Sequence, residues 1–270
     1  MNPLIIGHRG AAAVTPENTL ISFERALLDG ADGIEFDVRL ARDGVPVVIH
    51  DDTLARTALR KESVADLSSA ELSEIDVGTW FNLNRPQFAQ TEFAQARIPT
   101  LSNLFEMLKD SDALFYLEMK CTPEDRSLLV AEVAKLVQAH SLMHRTVVES
   151  FDHGAIAEIK RIDSGFRTAA LFDRRLKRLV ISTRRMIEIT RFCGAEEIAP
   201  HHSLVTRNTV EHAARRGLKT VIWTVDNTDW IEPAIKEGIH AIITNDPARM
   251  CARRAELMKE SGSKKSKDEG

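Results

Sequence analysis

Short β-branched runs alternate with longer stretches of helical spacing along nearly the whole chain. The runs fall at residues 4–6, 33–38, 45–49, 114–118, 146–148, 168–171, 197–199, 220–223 and 241–243. A chain that switches repeatedly between a period of two and a period of 3.6 builds strand–helix units, whose strands pair in parallel through right-handed crossovers. About eight such units in 270 residues suit an α/β fold of the (β/α)8 TIM-barrel type better than an open doubly wound sheet. A dinucleotide-binding Rossmann unit would carry G-x-G-x-x-G after its first strand, and Gly7-His8-Arg9-Gly10-Ala11-Ala12 stands there instead.

Local signals place the helices. Thr15 reads as an N-cap with Pro16 at the first helical position and Glu17 in the first turn, after which Leu20, Phe23 and Leu27 recur at helical spacing and Gly30 stops the helix. The same grammar recurs at residues 228–238 and at Asp246-Pro247. From residue 51 to residue 97 no clear strand occurs, and a stretch of that length is expected to be a small subdomain inserted after the strand that leads to His50. One domain over residues 1–260 accounts for the rest, followed by a tail at 261–270 expected to be disordered for want of any apolar anchor.

Composition narrows the function. With 43% hydrophobic residues the chain can bury a full core, and 36 basic against 40 acidic residues argue against a nucleic-acid binder driven by overall charge. No apolar run is long enough to span a membrane, and the first residues lack the pattern of a signal peptide. Cys121, Cys193 and Cys251 are odd in number and widely spaced, so a reducing, cytoplasmic setting is expected.

Barrel enzymes work at the C-terminal ends of their strands, and ionisable residues collect at those points here. The first strand ends in His8-Arg9; the second carries Glu35 and Asp37 on one face; the third ends in His50-Asp51; the next ends in Glu118 and Lys120, again on one face. Three neighbouring carboxylates stay ionised only with a cation between them, and oxygen ligands select Mg²⁺, Ca²⁺ or Mn²⁺. Arg9 and Lys120 suit an anionic substrate, and two histidines flanking it can serve as general acid and base. The set fits phosphoryl-ester cleavage better than carbonyl chemistry.

Gly7-His8-Arg9-Gly10-Ala11, Pro16-Glu17-Asn18-Thr19, residues 33–38, Asp43-Gly44 and His50-Asp51 together resemble the glycerophosphodiester phosphodiesterase family. Glu118-x-Lys120, Trp223-Thr224-Val225 and Thr244-Asn245-Asp246-Pro247 continue the resemblance to about residue 250. It implies a TIM barrel with an insertion after the His50 strand. It also implies a divalent ion, Mg²⁺ or Ca²⁺ with Mn²⁺ as a further candidate, on Glu35, Asp37 and Glu118, and His8 and His50 as acid and base. The implied reaction is metal-dependent hydrolysis of a small-molecule glycerophosphodiester to glycerol 3-phosphate and an alcohol, in which a hydroxyl of the substrate can attack phosphorus first. Ala41, where the family often has threonine, departs from the pattern on a turn and away from the chemistry.

Each residue has a plainer reading. His8 alone would be a core histidine, His50 a strand-end cap, and Glu118 with Lys120 a structural ion pair, whereas Glu35 and Asp37 on a strand covered on both faces require a partner. For Glu17 and Asn18 the plainer reading prevails, as helix-start residues that fix the His8 loop. Trp223 divides evenly between core and a substrate-binding wall, and His201 and His202 stay outside the expected site. Arg174, Arg175, Lys177, Arg178, Arg184 and Arg185 form a solvated face that also suits peripheral contact with anionic lipid surfaces. The competing functions are a lysophospholipase D-like activity on acylated substrates, a phosphatidylinositol-specific phospholipase C, a metal-dependent aldolase or lyase, and a catalytically silent barrel acting as a binding module.

Overall fold

A computed structural model describes residues 2–173 and 181–268 of the chain. In order, the regular elements are β1 (Leu4–His8), α1 (Leu20–Leu28), β2 (Gly33–Leu40), β3 (Pro46–Val48), α2 (Ser69–Leu72), α3 (Thr79–Asn84), α4 (Leu101–Met107) and β4 (Leu114–Met119). There follow α5 (Arg126–Ala139), β5 (Thr146–Ser150), α6 (His153–Ile162), β6 (Arg167–Phe172), α7 (Thr183–Phe192) and β7 (Glu197–Pro200). The last are α8 (Arg207–Ala214), β8 (Lys219–Ile222), α9 (Ile231–Glu237), β9 (Ala241–Thr244) and α10 (Pro247–Asp268). Each run expected to be a strand is one. β1, β2 and β4 to β9 pair in parallel around a ring that closes between β1 and β2, which is a (β/α)8 TIM barrel.

The alternation of each strand divides its residues between two cores. Ile6, Tyr116, Val147, Ala169, Ala199, Val221 and Ile243 fill the barrel, while Ile34, Phe36 and Val38 of β2 face outward under the helices. An edge-to-face chain of rings from Phe23 on α1 through Phe36 to Phe115 on β4, with centroids 5.9 and 6.1 Å apart, ties α1 to the strands that carry the acids. Fully burying rings of this size contributes about 1.5–3 kcal/mol each, so β2 is held by its apolar face while its polar face stays free for chemistry.

Two expectations about local structure need correction. The run at 45–49 is not a barrel strand: β3 pairs antiparallel with β2, Val38 opposite Val48 and Leu40 opposite Pro46. Only a tight turn separates them, closed by Ala41 N–H donating to Val45 O at 3.0 Å with Gly44 at φ +77°, whereas a parallel return needs a crossover of a dozen residues or more. Helix α1 starts later than Thr15-Pro16 suggests. Its N-cap is Thr19, because Asn18 adopts φ +56° and breaks the helical path, and Thr15 instead donates to Ala11 O. Helix α10 is described as backbone to Asp268.

Between β3 and α4 lie short helical pieces that pack Leu54, Val64, Leu72, Ile75 and Val77 with Val47 and Ile49 into a core of their own. Among the described residues no helix is long and apolar enough to cross a membrane.

Candidate active site

Glu35 and Asp37 point into the top of the barrel from β2, and Glu118 joins them from β4 opposite Asp37. All three are buried, and one carboxylate oxygen from each lies within 4.8 Å of the others. Cations are threaded among them. Lys120 Nζ stands 2.7 Å from Glu118 Oε1 and 3.1 Å from Asp37 Oδ1, and Arg9 Nε stands 3.0 Å from Asp37 Oδ2. Lys120 therefore does more than pair with its neighbour on the strand.

The loop after β1 is shaped to reach this cluster. Arg9 and Asn18 both take positive φ, near 53° and 56°, an uncommon conformation for residues other than glycine and one that persists only where surrounding contacts impose it. Arg9 donates its backbone N–H to Glu35 Oε2 at 3.0 Å and a guanidinium N–H to Glu17 at 2.8 Å. Asn18 donates to Asp37 Oδ2 at 2.8 Å and receives the Asp37 backbone N–H. Asn18 thus touches the acid cluster itself, a contact that the expected position in a helix turn would not have allowed.

Next to Arg9, Gly10 takes φ +87°, and a Cβ there would collide with the Ser22 backbone of α1. Gly10→Ala is expected to cost about 2–3 kcal/mol, read from denaturant unfolding, because strain and overpacking act together. A loss below about 1 kcal/mol would show that the loop relaxes freely.

His8 ends β1 in register with Glu35, its Nε2 3.9 Å from Glu35 Oε2. Its Nδ1 lies 2.7 Å from Asn245 Oδ1. Asn245 donates Nδ2–H to Asp226, which orients the amide oxygen toward His8; Nδ1 is therefore the donor and Nε2 the free base. Sequence reasoning gave Asn245 no role, and its only signal was the Thr-Asn-Asp-Pro stretch after the last strand.

His50 arrives differently from what a barrel strand would do. The antiparallel return of β3 carries it back past Leu40 to the level of Asp37, whose carbonyl accepts the Ile49 N–H at 2.9 Å. Its Nδ1 sits 2.6 Å from Asp51 Oδ1, which again leaves Nε2 for chemistry.

Burial and charge pull the titrations apart. Burial, with Asp37 and Glu118 alongside, raises Glu35 well above the usual carboxylate range, and burial raises Glu118 to about 7 against the pull of Lys120. Arg9 and Lys120 outweigh burial at Asp37 and hold it well below its ordinary value. Burial and Arg9 lower His8 to about 4, while burial, Arg9 and Lys120 lower His50 against the pull of Asp37. Buried acids that cannot all ionise unaided, offering only oxygen atoms within 4.8 Å of one another, are a donor set that a hard divalent cation fits.

The cluster opens into a cavity of about 280 Å³ lined by His8, Arg9, Glu35, His50, Glu118 and Lys120 on one side and by Phe151, Leu171, Trp223 and Ile243 on the other. Trp223 is thus a wall residue, fixed by Nε1–H donating to Ala199 O at 2.8 Å and by an edge-on contact with Phe151. His201 packs against Trp223, 5.2 Å between centroids, from outside that lining. Glu149, missing from the expected site, lies across from Glu118 on β5 and lines the cavity; its Oε2 is buried with no hydrogen-bond partner among the described residues. Its one sequence signal was a carboxylate directly after the apolar Val147-Val148, the pattern that marked Glu118. Arg174, Arg175, Lys177 and Arg178 lie outside the described residues, and Arg184 and Arg185 stand on α7 beside Glu188.

Fold and site together define a barrel enzyme whose rim gathers carboxylates, cations and two histidines at one cavity. The family model for the glycerophosphoryl diester phosphodiesterase family matches residues 8–249, and the chain belongs to that family. It is 33% identical over 247 residues to a glycerophosphodiester phosphodiesterase of Caldanaerobacter subterraneus subsp. tengcongensis, covering 92% of this chain and 96% of the relative. Among solved structures, a glycerophosphodiester phosphodiesterase from Agrobacterium tumefaciens superposes with a TM-score of 0.76 at 27% identity, covering 93% of this chain and 99% of the other. An Oleispira antarctica phosphodiesterase, solved in complex with the product sn-glycerol-3-phosphate, shares the fold with a TM-score of 0.81 at 24% identity, covering 93% and 96%.

Proposed function

We propose that this chain hydrolyses small glycerophosphodiesters to glycerol 3-phosphate and an alcohol, using a divalent cation held by Glu35, Asp37 and Glu118. The observation that carries the reading is the meeting at one cavity of a buried oxygen triad and two histidines whose Nδ1 atoms are already engaged, so that both Nε2 atoms are available. Mg²⁺, Ca²⁺ or Mn²⁺ bound there supplies positive charge to the phosphoryl oxygens as negative charge builds in the transition state.

The chain's own residues do the rest. Arg9 and Lys120 bind and orient the phosphodiester anion. His8, neutral over the working range because burial and Arg9 depress it, takes the proton of the attacking oxygen at Nε2. His50, lowered by burial but drawn toward its protonated form by the Asp37 and Asp51 carboxylates, gives a proton to the departing alcohol oxygen. Trp223 and Phe151 close the far wall and exclude water from one side of the substrate. The reading includes a cytoplasmic setting, supported by three free cysteines.

The direct test is hydrolysis of glycerophosphocholine with EDTA, with added Mg²⁺, Ca²⁺ or Mn²⁺, and with the His8→Ala and Glu35→Ala variants beside wild type. Cation-dependent release of glycerol 3-phosphate, lost in both variants, is the expected outcome. Preferential cleavage of lysophosphatidylcholine would move the assignment to acylated substrates, and silence on every diester would return the chain to a binding role.

A further inference from the structure

We infer that Arg56, on the loop that follows His50, is a positioning residue that locks the His50 side of the site to the Arg9 side. The inference rests on the activity proposed above and extends it to a residue outside the cavity.

Two histidine-bearing segments enter the site from different parts of the fold, one at the end of β1 in the barrel ring and one after the antiparallel strand β3 beside it. Each is supported by an acid. Asp51 contacts His50 Nδ1, and Glu17 accepts from the Arg9 guanidinium. One guanidinium joins these two acids. Arg56 Nε–H donates to Asp51 Oδ2 at 2.7 Å, and its two Nη groups donate to Glu17 Oε2 and Oε1 at 2.7 and 2.8 Å. The chain of contacts therefore runs from His50 through Asp51, Arg56, Glu17 and Arg9 to Asp37.

The plane of the guanidinium is also fixed. Its carbon lies 5.6 Å from the centre of the Trp80 ring, and Trp80 is anchored by its own Nε1–H donating to Val77 O. A face held by an aromatic ring and two edges spent on two carboxylates leave little rotational freedom. Such geometry belongs to arginine. A lysine ammonium carries the charge but lacks a planar fork that can serve both acids at once.

Positioning of this kind shows in turnover more than in ground-state binding of the cation. A displacement of a reacting group by about an ångström costs on the order of 10²-fold in rate. Arg56→Ala is therefore expected to lower kcat for glycerophosphocholine by between about 10- and 100-fold. Mn²⁺ affinity, read by calorimetric titration, should stay within about twofold, because Glu35, Asp37 and Glu118 are untouched. Guanidinium ion at millimolar levels should restore part of the lost rate where an equal concentration of sodium does not, and Arg56→Lys should recover only part. Asp51→Asn and Arg56→Ala should be strongly non-additive, the double variant being no slower than the worse single one within about threefold.

A wild-type kcat in Arg56→Ala, rate losses that multiply in the double variant, or a loss that guanidinium cannot repair would each overturn the inference. Hydrogen exchange of the metal-free chain provides a readout that needs no turnover. Arg56→Ala should speed exchange at residues 51–62 and leave residues 33–40 as in wild type; unchanged exchange at 51–62 would also overturn it. If wild type fails to cleave any diester, the proposed activity falls, while this exchange measurement still decides whether Arg56 is the lock.

Discussion

Glu35→Gln is expected to lose activity on the order of 10³-fold while the metal-free protein stays as stable as wild type or becomes more so by up to about 2 kcal/mol. The two effects have one cause. Glu35 is buried beside Asp37 and Glu118, so its charge is costly to the fold unless a cation offsets it. An amide oxygen in its place still accepts the Arg9 backbone N–H, which the carboxylate accepts at 3.0 Å, but it removes one charge and one strong ligand. Thermal unfolding with and without Mg²⁺ or Ca²⁺ checks this. Wild type should gain about 2.7 kcal/mol at a hundredfold excess over Kd, and the variant little or nothing. Equal cation stabilisation of the two proteins would show that the triad is not the metal site.

Glu118 is raised from 4.5 to about 7, and Glu35 lies well above the same ordinary value. Their contribution to metal-free stability is thus complete below the ordinary value and lost as pH rises through the folded values. Bound cation displaces those protons, so cation affinity should strengthen between pH 6 and pH 8, with proton release visible in calorimetry across buffers of different ionisation heat. Affinity that weakens over that interval would contradict the arrangement.

The histidines should separate by leaving group. His8→Ala is expected to lose on the order of 10³-fold on every diester, because the attacking oxygen then has no base. His50→Ala should lose a similar factor on glycerophosphocholine, whose alkoxide leaves poorly, yet less than about tenfold on a nitrophenyl diester that leaves without a proton. Equal losses of His50→Ala on both substrates would remove its role as the acid. His8 titrates at about 4, below its ordinary 6.5, so the acid limb of kcat/KM should lie well under pH 6. The same shift gives a stability contribution present above 6.5 and lost as pH falls toward 4.

Much of this arrangement is legible in the order of the residues. The strand–helix alternation points to the barrel, because parallel strands joined by helices leave few ways to close. Glu35, Asp37 and Glu118 stand out because acids on strands covered on both faces cannot be solvated and must have partners. His8 is marked by its place at the end of the first strand.

What stays hidden depends on chain segments meeting across long separations. His8 and Asn245 are 237 positions apart and meet only because β9 closes the ring onto β1. Asn18 reaches Asp37 because its backbone takes a left-handed turn that a helix-start pattern does not announce. Arg56 finds Glu17 only once the inserted segment folds back over the β1 loop. Local period marks the strand–helix units, whose number favours the barrel, and what burial demands of charged groups singles out Glu35, Asp37 and Glu118. Contacts between distant segments set the antiparallel course of β3, which returns His50 to Asp37, and bring Asn245 to His8, Asn18 to Asp37 and Arg56 to Glu17. Those contacts are chosen by geometry between distant segments, on which local spacing carries no information.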